Sequence, residues 1–198
     1  ALLLSSAGLF TTFLFLPYYL QITLGYSQLL TGVAFLPVPI ALVTSAVFIG
    51  PSLTSKFTAR PVIPLGLTIA GVGALLLVRL GATATYVTDL LPSLLLIGAG
   101  IGLVVATATG SATADVDPAD AGAAAASVNA AQQIGGSVGV AVLSTIAGSA
   151  TAAFLAEHPG QETVSPVYGY ATAYAGVSTL FLMGALLALV IHPKESAT

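Results

Sequence analysis

The sequence has no cysteine, two histidines and only four lysines and arginines in 198 residues. Each scarcity closes a class of function. Without cysteine there is no disulfide framework, no thiolate metal site and no sulfur nucleophile. His158 and His192 lie in or beside polar breaks, so a zinc centre or a Ser-His-Asp site would have almost nothing to draw on. No catalytic residue, metal or cofactor is expected. Four basic residues against seven acidic ones leave a net charge of -3, and no basic stripe exists that could neutralise a nucleic-acid backbone. Charged residues make up 6% of the chain, where a soluble domain carries about 25%. With 57% hydrophobic residues and a mean hydropathy of +1.03, a water-soluble fold is excluded.

What is abundant is uncharged, apolar chain. No charge occurs at 1–55, 61–78, 90–114, 121–156 or 163–191, and a membrane span needs about 20 apolar residues. The first block is long enough for two spans and is broken at Gly25-Tyr26-Ser27-Gln28. Six membrane helices are therefore expected, at about 2–24, 29–50, 61–80, 88–113, 122–154 and 170–191, in an all-α membrane protein. Transmembrane strands would alternate apolar and polar residues, whereas 29–50 and 179–191 are almost continuously apolar. The opening ALLLSSAG lacks the basic region of a signal peptide. It also lacks a Met, as a piece of a longer chain would.

Lys and Arg close to span ends favour the cytoplasm, and Lys56 and Arg60 share the connection between spans two and three. That connection is expected inside, with both termini, which suits Lys194 and leaves Arg79 facing out. Tyr26, Tyr86, Tyr168 and Tyr170 all flank the odd-numbered, outer loops, and tyrosine favours membrane interfaces.

Polar residues inside spans are the functional candidates. In the first span, Thr11, Tyr18 and Gln21 share one face with Leu14, while Ser5, Thr12, Tyr19 and Thr23 form a second stripe on the opposite side. Either could line a cavity, or both could serve hydrogen bonds between helices. Gln21 stands out because an unpartnered amide in hydrocarbon is costly. Pro17, Pro37, Pro39 and Pro64 each remove a backbone donor from a span. In the fifth span Asn129, Gln133, Gly136 and Val140 follow i, i+4, i+7, i+11, and Gly135 with Gly139 forms a G-x-x-x-G suited to close helix contact. Asp117-Pro118 is placed to cap that helix. Arg79 and Asp89 bracket the loop between spans three and four, to gate or steer substrate or simply as interface charges.

Two segments carry a family resemblance. The stretch GPSLTSKFTARP, with Gly50, Pro51, Leu53, Lys56 and Arg60, resembles the loop between the second and third helices of a major facilitator superfamily half, whose basic residues help latch two halves together at the cytoplasmic face. Here Thr58 stands where a glycine is usual and no aspartate is present. The fifth segment is similar to the penultimate helix of the fourteen-helix drug:proton antiporter branch, matched by Asn129, Gln133, Gly135, Gly136, Gly139 and Ala141, with Gln132 in place of a basic residue. FLPYYLQITLGYSQLLTGVAFLP and the glycines Gly98, Gly100 and Gly102 resemble the same branch.

The resemblance implies a C-terminal six-helix half built as a 3+3 inverted repeat. Its partners would be membrane lipid, the N-terminal half and two inserted helices upstream, and a hydrophobic small-molecule substrate. Tyr18, Gln21, Asn129 and Gln133 would then line the substrate pathway of a proton-coupled drug exporter. The alternative is a polytopic scaffold or assembly subunit that moves nothing. No acidic residue lies within a span except Asp89 at the start of one, so the main proton site is expected in the other half. Richness in alanine and glycine fits a high-GC bacterial genome and hence the bacterial plasma membrane.

Overall fold

In hydrocarbon a backbone has no water to satisfy its N–H and C=O groups, so an uncharged apolar block of spanning length has helix as its solution. The computed structural model, which describes residues 1–191 except 58, 82, 83, 115, 118 and 163, contains six helices long and apolar enough to cross a membrane. They are α1 (Leu2–Thr23), α2 (Gln28–Phe57), α3 (Arg60–Leu77), α4 (Tyr86–Thr113), α5 (Ala121–Glu157) and α6 (Ser165–Val190). No strand occurs among the described residues. Thr58, Asp115, Pro118, His192 and Lys194, noted in the sequence, lie outside them.

Local chemistry sets the ends. Gly25 takes a positive φ of 70° in the tight turn after α1, a conformation that costs glycine little. Ser27 then caps α2, its hydroxyl accepting from the Leu30 N–H at 3.2 Å. Asp89 accepts from the Thr85 N–H at 2.6 Å and closes the first turn of α4. The expected cap of α5 is corrected: Asp117 accepts from the Ala119 N–H at 2.9 Å in a local turn, and the helix begins only at Ala121, with Asp120 at its N-cap position.

Proline leaves a recognisable mark. The chain widens into single π turns at Tyr19–Thr23, Ser45–Ile49 and Tyr86–Leu90, each within two residues of a proline: Pro17, Pro51 and Pro92. A missing N–H displaces the i→i−4 ladder, and a wide turn absorbs the mismatch without ending the helix. The second case corrects the sequence reading of Gly50 to Pro61 as a loop. Gly50–Phe57 is helical, and the Ser52 and Thr54 hydroxyls bond back to Phe48 and Gly50 at 2.7 and 3.0 Å.

Glycines fix how the helices meet. Gly135 and Gly139 of α5 abut Leu3 and Ala7 of α1, so these helices run parallel. Gly98 and Gly102 of α4 abut Val38 and Leu42 of α2, also parallel. Gly66 and Gly100 face each other where α3 and α4 cross antiparallel, and the Ser178 hydroxyl bonds to the Gly71 carbonyl at 2.9 Å between antiparallel α6 and α3. α1 on α5 thus repeats α4 on α2, with the two three-helix units running in opposite directions.

Directions alternate along the chain. One surface, here the terminal face, gathers the start of α1, the α2–α3 and α4–α5 connections and the end of α6. All seven tyrosines lie toward the opposite tyrosine face. Two of them tie helices together: the Tyr19 hydroxyl donates to the Gly81 carbonyl at 2.6 Å, and that of Tyr86 to the Ala34 carbonyl at 2.7 Å, beside the break before Pro37. The core of Leu16, Leu67, Ile97, Val177 and Phe181 lies between α1, α3, α4 and α6.

Candidate functional site

Burial is uneven. The most apolar windows of α3 and α4 are 56% and 61% buried within the bundle, but those of α2 and α5 only 17% and 11%. Between these two uncovered helices lies α1, and its open side is one helical face: Phe10, Phe13, Leu14, Tyr18 and Gln21, positions that cluster at 100° per residue. Phe13 stacks on Phe35 of α2 with centroids 4.9 Å apart. On the other flank, Phe10, Phe13 and Leu14 border a groove of about 420 Å³ shared with Gln133, Gly136, Ser137 and Val140 of α5. The three elements form an apolar, aromatic trough with amides toward its two ends.

The sequence-selected residues distribute along this trough. Tyr18 and Gln21 are exposed toward the tyrosine face, Gln21 within the wide turn after Pro17. Gln133 is exposed in the groove beside Phe10, and Asn129 is exposed one turn nearer the terminal face. Because Gly135 sits against Leu3, Gln21 and Gln133 stand about 30 Å apart along parallel axes. They mark opposite ends of the trough and do not meet. Thr11, placed with Tyr18 by periodicity, is buried and donates to its own helix at the Ala7 carbonyl, 2.7 Å away, as Thr12 does to Gly8 at 2.8 Å. Those hydroxyls are spent on backbone.

Gly135, Gly136 and Gly139 of α5 face α1: a Cβ on Gly135 would fall on the Leu3 backbone, on Gly136 within the Phe10 ring and on Gly139 against Ala7. At the terminal face, Gly50 packs on Ala106 and Pro51 is exposed. Leu53 borders a small apolar cavity of about 240 Å³ with Phe57, Pro61, Val62 and Leu65. Lys56 is exposed and Arg60 half-buried. Among the described residues no three His, Cys, Asp or Glu side chains gather where a metal could bind.

The sequence pattern of the Major Facilitator Superfamily matches residues 1–140. The chain belongs to the major facilitator superfamily. Its relatives in that superfamily include the puromycin resistance protein of Streptomyces alboniger, 45% identical over 193 residues, which are 95% of this chain and 38% of that protein. The cephamycin export protein of Amycolatopsis lactamdurans is 31% identical over 198 residues, all of this chain and 39% of its own length. A multidrug resistance protein B homologue of Mycobacterium tuberculosis is 29% identical over 142 residues, 71% of this chain and 26% of that one. The chain thus spans about two fifths of the first two relatives. It is a multi-pass membrane protein with half of a major facilitator fold.

Membership places the trough in context. Phe10 and Phe13, absent from the sequence-derived candidates, line it, and their signal was faint because phenylalanine is ordinary anywhere in a span.

Proposed function

We propose that this chain is the C-terminal half of a secondary active transporter that exports hydrophobic small molecules, antibiotics among them, in exchange for protons. The reading rests on the uneven cover: two spanning helices almost bare, flanking a third whose open face is aromatic with amides at its ends. A complementary six-helix half covers α2 and α5 and closes the trough into a central pathway, and rocking of one half on the other exposes it alternately to each side.

The terminal face is cytoplasmic, because it carries Lys56 and Arg60. Both termini of the bundle lie there, in the plasma membrane of a bacterium. Asn129 and Gln133 form the inner end of the pathway, Tyr18 and Gln21 the outer end, and Phe10 and Phe13 offer ring faces to flat apolar substrates between them. Gly135, Gly136 and Gly139 hold α5 close to α1, and the segment of Gly50, Pro51, Leu53, Lys56 and Arg60 contacts the other half at the inner surface. No carboxylate or histidine stands in the trough among the described residues. The main proton site therefore belongs to the other half.

The test is energised transport by the full-length protein in inside-out bacterial vesicles. Puromycin accumulates when a proton gradient is imposed and leaks out when a protonophore collapses it. Accumulation indifferent to the protonophore overturns proton coupling. No accumulation of any compound in an antibiotic panel, with the protein present in the membrane, supports the non-transporting scaffold instead.

A further inference from the structure

A second cavity lies away from the trough, at the tyrosine face between the end of α3 and the start of α4. It has a volume of about 410 Å³. Leu76, Leu80 and Ala84 form its apolar wall, and Arg79, Thr88 and Asp89 supply its polar lining. Among the described residues no ion pair joins the two charges. One Asp89 oxygen is occupied by the Thr85 N–H, and the Gly81 carbonyl by Tyr19. Among the described residues none hydrogen-bonds the Arg79 guanidinium, the second Asp89 oxygen or the Thr88 hydroxyl, and these groups can meet a ligand.

The surroundings identify what kind. Below the cavity, Leu65, Val72 and Leu76 are exposed and follow i, i+7, i+11 along α3, turned away from both α4 and α6. This apolar stripe runs down the membrane depth from the cavity mouth. A molecule that uses both features has a zwitterionic head and apolar chains. We infer that the α3–α4 cavity is a binding site for a phospholipid with a phosphoethanolamine headgroup, its phosphate on Arg79, its ammonium on Asp89 and Thr88, and its acyl chains along Leu76, Val72 and Leu65. Arginine's planar fork matches a phosphate in two-point contact. The carboxylate discriminates among heads: it takes N–H donors from a primary ammonium, finds none on a choline, and repels the net negative charge of a phosphatidylglycerol. This site is independent of the transport reading.

The experiment is native mass spectrometry of the full-length detergent-purified protein, titrated with short-chain phosphatidylethanolamine, phosphatidylglycerol or phosphatidylcholine. One charge contact at a membrane surface changes binding about fivefold. The wild type should retain phosphatidylethanolamine about fivefold better than either other lipid. Arg79→Gln should lower retention of all three by a similar factor. Asp89→Asn, which keeps an acceptor for the Thr85 N–H, and Thr88→Val should each shift the ethanolamine-to-glycerol ratio toward the glycerol lipid. An unchanged ratio in both variants overturns the site, as does Arg79→Gln lowering retention no more than Thr68→Ala on the lipid-facing surface of α3. Water-soluble glycerophosphoethanolamine should compete only weakly. Competition equal to that of the lipid would show that the stripe contributes nothing and overturn the lipid assignment.

Discussion

Gly66 and Gly71 lie five residues apart on α3, both buried, and the same change, glycine to alanine, should have different consequences. A methyl on Gly66 would sit 2.7 Å from the Gly100 carbonyl oxygen and 2.9 Å from Val104 Cγ2. That is about 0.7 Å inside the onset of ordinary contact, against backbone that cannot rotate away. A methyl on Gly71 would meet only side-chain atoms, Leu182 Cδ2 and Cγ at 3.1 Å and Phe181 Cβ at 3.4 Å, and no backbone. Both substitutions remove glycine's conformational freedom, which favours the helix by roughly 0.5–1 kcal/mol. At Gly66 that gain is outweighed, because α3 and α4 must separate and lose dispersion along their crossing, an overpacking cost of about 1–3 kcal/mol. At Gly71 a small shift of Leu182 suffices, and the two terms roughly cancel. Thermal unfolding of the full-length protein in detergent should place Gly66→Ala roughly 3–8 °C below wild type, with Gly71→Ala within about 2 °C of it. Equal shifts for the two variants would refute the argument that backbone proximity, and not burial, decides which glycines are indispensable.

Cysteines introduced at Ser27, Ala84 and Gln161 should react with an impermeant thiol reagent from one side of the membrane, and those at Ser55 and Ala119 from the other; Ser27 and Ser55 labelling together would break the alternation of helix directions. Gln133→Leu should alter the range of compounds exported more than the amount of protein in the membrane, measured by resistance profiles beside immunoblots, whereas parallel losses of both would reduce Gln133 to a packing residue. Tyr86→Phe removes the donor to the Ala34 carbonyl beside the α2 break and should lower stability by about 1 kcal/mol, visible as a lower melting midpoint with substrate range unchanged.

Six helices were legible in the sequence because hydrocarbon leaves an uncharged apolar block no other solution. The segment from Gly50 to Phe57 was not, since a Gly-Pro pair ordinarily stops a helix; a wide turn just upstream, invisible to composition, let the helix continue. The amides of the trough were found by the cost of leaving them unsatisfied, a property of the residue alone. Their separation was hidden because it depends on the register of α1 against α5, set where Gly135 meets Leu3, and periodicity within one helix says nothing of its height beside another. Thr11 misled for a related reason: angular position grouped it with Tyr18, yet its hydroxyl could bond to its own backbone and be buried at little cost.

The unbroken length of α5 has a mechanical consequence. Its 37 residues make a rod about 55 Å long, nearly twice the roughly 30 Å of a bilayer's hydrocarbon. A rod pivoting near mid-membrane through about 10° carries each tip about 5 Å in opposite senses. Small tilts at the α1–α5 crossing are thus levered into large displacements at the water boundaries, so a pair of spectroscopic labels at the two tips of this one helix would report the protein's conformational cycle with more gain than labels on any shorter span.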